Sequence, residues 1–274
     1  MKEARGGMRR RMRRGVYLLP SMLTLGNLFC GFYALMAVYN DEYVAAAVAI
    51  LVAEVFDYLD GGVARMTGAT SEIGVQLDSL ADLVSFGVAP GLLAYVFALK
   101  SFDLKYTIWG LGVGGLGAFA FAACGAFRLA RFNVQVHVTD KRYFVGLPIP
   151  AAAAVVAAFV LFMKESSAVV VYGRELVPPQ ATAAGVLLGM YALGFLMVSR
   201  IRYRSLKGLE MRRRRPFAVL TTLLLVLLVV ASHPSLFLFV FFFLYALSGI
   251  ARLLPAWQRR HPSETSEHAA PGKH

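Results

Sequence analysis

The chain has few cysteines, few acids and no long polar segment. Of its 274 residues only two are cysteine. Cys30 and Cys124 show neither metal-ligand spacing nor a paired pattern, and both fall inside apolar runs. A cysteine metal site and a disulfide framework are therefore excluded, and the redox compartment is left open. Charged residues make up 16% of the chain. No polar stretch between apolar runs is long enough to bury a core of its own, which excludes a separate soluble domain.

What is present is apolar length. The chain is 58% hydrophobic, and several runs reach the roughly 20 residues that a bilayer-spanning helix needs. The expected fold is all-α, a polytopic integral membrane helical bundle of about eight transmembrane helices. The spans read as 16–39, 44–65, 78–98, 107–130, 147–164, 181–199, 216–232 and 234–251. Residues 1–254 read as one membrane domain with a basic cytoplasmic N-terminus at 1–15. Residues 255–274, with Pro, Ser, Glu and His, read as a disordered cytoplasmic tail. The stretch after "MRRRMRRG" is expected to be a retained span, because Leu18 to Val38 is long for a signal-peptide core and lacks a cleavage site.

Basic residues outnumber acids by 28 to 16. With a cytoplasmic N-terminus, the inner segments and inner helix ends hold 24 of the 28 Lys and Arg, and the outer loops keep Lys100, Lys105, Lys164 and Arg174. This is the positive-inside pattern. The surplus, including "MRRRR" at Met211 to Arg215, reads as juxtamembrane anchoring and attraction to anionic membrane lipid, with no nucleic acid partner. The expected location is a multi-pass protein of the inner cell membrane.

The scarce acids cluster. Asp57, Asp60, Gly61, Ala64 and Arg65 fall at offsets 0, 3, 4, 7 and 8, so on a helix they share one stripe. After a short connection, Gly74, Asp78 and Asp82 form a second stripe at i, i+4 and i+8. Both helix ends lie at the cytoplasmic boundary, where four clustered carboxylates cannot all stay ionised unless something positive is bound. Oxygen-only ligands suit Mg²⁺ or Mn²⁺, and Mg²⁺ commonly combines carboxylates with substrate phosphate. Gly61, Ala64 and Gly74 remove bulk on the same faces, and Arg65 offers a donor fork to a phosphate oxygen. The face suits a metal-bound diphosphate.

The pattern D-x2-D-G-x2-A-R-x8-G-x3-D-x3-D, at Asp57, Asp60, Gly61, Ala64, Arg65, Gly74, Asp78 and Asp82, resembles the signature of the CDP-alcohol phosphatidyltransferase family with every position present. The resemblance implies transfer of a phosphatidyl group from a CDP-linked lipid to an alcohol with release of CMP. It implies that Asp57, Asp60 and Asp78 hold metal, with Asp82 as a further ligand and as the catalytic base. It places Gly61 and Arg65 on the CDP diphosphate and Ser71 beside the nucleotide. It also implies a homodimer. Metal-assisted direct attack is favoured over a covalent enzyme intermediate, because no His or Cys lies near this stripe in the sequence.

The patches "LPSMLTLGNLFCGFYA", "LDSLADLVSFGVAP", "FRLARFNV" and "YFVGLPIPAAA" are similar to the serine-accepting branch of that family, which implies CDP-diacylglycerol and L-serine as substrates. A serine acceptor carries a carboxylate, so Arg128, Arg131 and Lys141, with Asn133 adding a hydrogen bond, are its candidate partners; the alternative for each is an inner-edge anchor. Thr24 and Asn27 are expected at the nucleotide pocket, with a helix-packing hydrogen bond as the alternative. Glu54, one turn before Asp57, is expected in a supporting role. Gly110 and Gly114 read as close helix packing within the chain, with a subunit interface as the alternative. Rival acceptors are glycerol phosphate and inositol phosphate, bound by a denser basic pocket that adds Arg142. A cation transporter is a further rival, one with no use for Gly61, Ala64, Arg65 and Gly74 at these spacings.

Overall fold

The computed structural model describes residues 2–67, 71–100, 107–108, 111–135, 143–167, 179–204 and 233–251. The helices are α1 (Lys2–Tyr39), α2 (Tyr43–Thr67), α3 (Glu72–Leu99), α4 (Val113–Gln135), α5 (Ile149–Ser167), α6 (Pro179–Val198) and α7 (Pro234–Ala251). The span expected at 216–232 and the tail at 255–274 lie outside the described residues.

Among the described residues, four helical segments are long and apolar enough to cross a membrane: Pro20–Tyr39, Glu72–Leu99, Val113–Val134 and Ala181–Val198. α2 is also long enough, with 25 residues, but carries Glu54, Asp57, Asp60 and Arg65. The surface of the bundle is oily. Phe29, Phe119, Phe127 and Phe195 are 67%, 66%, 71% and 72% exposed, far more apolar display than a water-soluble surface tolerates. Inside, small residues dominate: Ala46, Ala47 and Ala53 of α2 and Ala152, Ala153 and Ala157 of α5 are fully buried. Such small side chains let packed helices approach closely where lipid removes the hydrophobic drive.

α1 has 38 residues, about 57 Å at 1.5 Å per residue, which exceeds a hydrocarbon core of about 30 Å. Its basic first half therefore extends past the span that starts near Pro20. A tight turn reverses the chain into α2: Asp41 takes a left-handed φ of 60° and Glu42 N donates to Ala37 O at 2.8 Å. Asp is one of the few non-glycine residues that tolerates this region.

α3 is the central helix, touching α1, α2, α4, α5 and α6. Ser71 caps it, its Oγ accepting from Gly74 N at 3.0 Å. Two stretches, Leu83–Val88 and Tyr95–Leu99, are π-helical, a form that recurs at functional sites; the first begins directly after Asp82.

Contacts at the two ends of the bundle show that α2 runs opposite to α3, and α5 opposite to α2, α6 and α7. At one end, Lys164 Nζ lies 5.0 Å from the Tyr43 ring centre and 5.8 Å from that of Phe97. His233 Nδ1 there stands 3.5 Å from Glu165 Oε1, and Ser235 Oγ donates to Glu165 Oε2. At the other end, strand β3 (Tyr143–Val145) pairs antiparallel with β4 (Arg202–Arg204), joining two segments that the charge pattern assigned to one membrane face.

The fold is all-α as expected, with short ladders in its loops: besides β3 and β4, β1 (Thr107–Ile108) pairs with β2 (Leu111–Gly112). Both ladders are short and lie in loops between helices, where strand pairing is open to the backbone; in hydrocarbon only helices or closed barrels satisfy it. One bound differs: the fourth helix starts at Val113 rather than near 107 and continues to Gln135, so Arg131 and Asn133, expected at its inner edge, stand on the helix itself. Its start falls within the glycine-rich stretch "GLGVGG", which resists helix formation. Gly114 packs on the backbone of Leu99, the within-chain contact expected of it.

Candidate active site

The C-terminal end of α2 and the N-terminal half of α3 bring the acidic stripes together. One carboxylate oxygen from each of Asp57, Asp60 and Asp78 lies within 4.8 Å of the others. Asp60 is 4% exposed and accepts from Thr24 Oγ1 of α1 at 2.9 Å. The same hydroxyl lies 3.1 Å from Pro20 O, one turn back. Asp78 Oδ1 is buried with no hydrogen-bond partner. Three hard oxygen donors, one of them orphaned, fit a divalent cation, and among the described residues no His or Cys joins them.

Asp82 stands one turn further along α3 and does not belong to this triad. It is 8% exposed, and its Oδ1 accepts from Asn27 Nδ2 at 3.0 Å. Its carboxylate still feels the charges of Asp57, Asp78 and Asp60.

A cleft with about 480 Å³ of empty space, counting its mouth, opens beside the triad. Its lining includes Thr24, Gly61, Ala64, Ser71 and Gly74, five of the seven residues expected to hold the CDP-lipid, together with Asp60 and Asp78. Arg65 lies close by: its Nη1 would be 3.2 Å from a Cβ on Gly61, so the missing side chain is what seats the guanidinium. The N-terminus of α3, capped by Ser71, faces the same cleft and favours an anion there. Asn27 is the exception. It is fully buried and not in the cleft lining, and its side-chain amide donates to Asp82.

The expected acceptor residues divide. Arg128 of α4 is 9% exposed, its Nε is buried without a partner, and Asp82 and Asp57 are among the charges it feels. Arg131 is engaged elsewhere: Nη1 donates to Val198 O at 2.9 Å and Nη2 to Ser199 O at 3.3 Å, capping the end of α6. Asn133 Nδ2 donates to Ser79 Oγ at 2.9 Å, tying α4 to α3 between Asp78 and Asp82. Lys141 and Arg142 lie outside the described residues. Glu54 Oε1 is buried and unpartnered one turn before Asp57.

Two residues escaped the sequence reading. Ser85, fully buried, donates from Oγ to Asn27 O at 2.9 Å; a lone hydroxyl within an apolar span was its only signal. Tyr245 of α7 is electrostatically coupled to Arg128, and nothing local to its sequence points there.

The residues of this site lie within a stretch that known proteins share with the chain. The family model for CDP-alcohol phosphatidyltransferase matches residues 17–196. A CDP-diacylglycerol–serine O-phosphatidyltransferase of Helicobacter pylori is 35% identical over 239 residues, 87% of this chain and 92% of that protein. The enzyme of the same name from Bacillus subtilis is 35% identical over 69% of this chain and 91% of its own length. An archaetidylserine synthase of Methanothermobacter thermautotrophicus is 35% identical over 70% of this chain and 71% of its own. Motif, geometry and likeness along most of the chain agree, and the chain belongs to the CDP-alcohol phosphatidyltransferase family.

Proposed function

We propose that the chain transfers a phosphatidyl group from CDP-diacylglycerol to L-serine, giving phosphatidylserine and CMP. The observation that carries this reading is the placement of the acids. One oxygen each of Asp57, Asp60 and Asp78 converges, while Asp82, one turn along α3, feels the charges of both that triad and the buried cation Arg128. The names of the relatives that cover most of the chain support serine as acceptor.

The cleft residues Gly61, Ala64, Arg65, Ser71 and Gly74 take the CDP diphosphate, leaving the acyl chains in lipid. Arg128 takes the serine carboxylate, since one guanidinium matches one carboxylate in a two-pronged contact. Asp82 accepts the proton of the serine hydroxyl as its oxygen attacks the phosphorus bearing diacylglycerol; the anhydride P–O bond breaks and CMP leaves. A general base of this kind contributes about 10²- to 10⁴-fold. A divalent cation, Mg²⁺ or Mn²⁺, held by Asp57, Asp60 and Asp78 supplies charge neutralisation at the pyrophosphate.

The fuller arrangement we propose is an eight-span homodimer in the inner cell membrane with this site facing the cytoplasm. The charge bias of the loops and the segregation of helix ends support the orientation.

The test supplies purified protein with CDP-diacylglycerol, Mg²⁺ or Mn²⁺, and serine, glycerol phosphate or inositol phosphate in separate reactions, and follows CMP. Serine-dependent release is expected. Release with a phosphorylated acceptor and none with serine overturns the acceptor assignment.

A further inference from the structure

We propose that Asn27 is a positioning residue for the base, orienting Asp82 through its side-chain amide without touching nucleotide or lipid; this rests on the phosphatidyl transfer proposed above. Asn27 is 0% exposed and absent from the lining of the cleft. Whatever it contributes must therefore pass through the groups it contacts. Its Nδ2 donates to Asp82 Oδ1 at 3.0 Å. An oxygen occupied in this way fixes the carboxylate plane and leaves Oδ2 as the one to receive a proton.

The amide is itself held. Ser85 Oγ, from the π-helical stretch that follows Asp82, donates to the backbone carbonyl of Asn27 at 2.9 Å. That contact exists because residue 31 is glycine: a Cβ there would fall on Ser85 Oγ and 2.8 Å from Ser85 Cα. α1 and α3 are thus locked in register on either side of the base.

Packing alone does not account for an asparagine here. Its Oδ1 is buried with no hydrogen-bond partner, a defect that an apolar side chain of similar volume would not have. The residue is kept for its donor. Thr24, three positions earlier on the same face of α1, does the parallel service for Asp60 of the triad. One face of α1 thus presents an uncharged donor to each buried acid, one for the triad and one for the base.

The test uses the full chain in lipid vesicles containing CDP-diacylglycerol, with Mn²⁺ and varied alcohol. Asn27→Leu keeps bulk and removes the donor; Asn27→Ala is the second variant should the first not fold. Loss of an orienting partner typically costs about 10- to 100-fold. The expected result is a kcat reduced by that factor, with KM for the alcohol and direct binding of CDP-diacylglycerol within about threefold of wild type. A wild-type kcat in a folded variant overturns the proposal, as does a raised KM for CDP-diacylglycerol at unchanged kcat, which would put Asn27 on the nucleotide. The kcat ratio is read with whichever alcohol the wild-type protein uses, so failure of the serine assignment and failure of the Asn27 role are separate results.

Discussion

Thr24 Oγ1 on α1 lies 2.9 Å from Asp60 Oδ2 on α2, and both residues are almost fully buried. A hydrogen bond to an ionised group in such a place is worth about 1.5–3 kcal/mol. It also fixes the direction of a carboxylate in the triad.

Thr24→Val preserves shape and removes this bond. Metal affinity is expected to fall about 10-fold, as orienting partners of metal ligands typically show. Titrating CMP release with Mn²⁺, and Mn²⁺ binding by electron paramagnetic resonance, check it; unchanged affinity would detach Thr24 from the triad.

Asp82→Asn keeps size and removes the proton acceptor. Turnover is expected to fall at least about 100-fold while CDP-diacylglycerol still binds, because the cleft lining does not include Asp82. Paired measurements of kcat and nucleotide-lipid binding decide the matter, and full activity removes Asp82 from the mechanism.

Arg128 and Arg131 should behave as opposites. Arg128→Ala deletes the buried cation proposed for the serine carboxylate and is expected to raise KM for serine about 10- to 100-fold, the equivalent of one charged hydrogen-bonded contact. Arg131→Ala uncaps α6 and should lower the unfolding temperature in detergent with little change in serine KM. If Arg131 dominates the serine KM instead, the acceptor assignment of the two is reversed.

Gly31→Ala places a methyl group on Ser85. Overpacking of this kind costs about 1–3 kcal/mol. A lower melting temperature, partly relieved by adding Ser85→Ala, is the expected outcome in a thermal-shift comparison of the single and double variants.

Much of the site was legible because its chemistry is local. Asp57, Asp60, Gly61, Ala64 and Arg65 follow one another on a single helix, where periodicity alone puts them on one stripe. Gly74, Asp78 and Asp82 do the same on the next helix. Helix bounds were legible for a similar reason, because apolar runs break where polar residues begin: α2, α5 and α7 lie within a few residues of the expected segments.

The remainder depends on which helices meet. Arg128, Arg131 and Asn133 sit within six residues on α4, yet one faces the acids, one caps α6 and one ties to Ser79. All three are polar residues at one end of α4, and only the neighbouring helix distinguishes them.

The sequence by itself determined the membrane class, the bias of charge to one face and the two acidic stripes, because hydrophobic length and helical period act within a segment. Only the tertiary structure decided that Asp57, Asp60 and Asp78 converge and that Asn27 meets Asp82 rather than the cleft lining. Those assignments depend on the depth and rotation at which α1 packs against α2 and α3, which the Gly31–Ser85 approach sets and no single segment encodes.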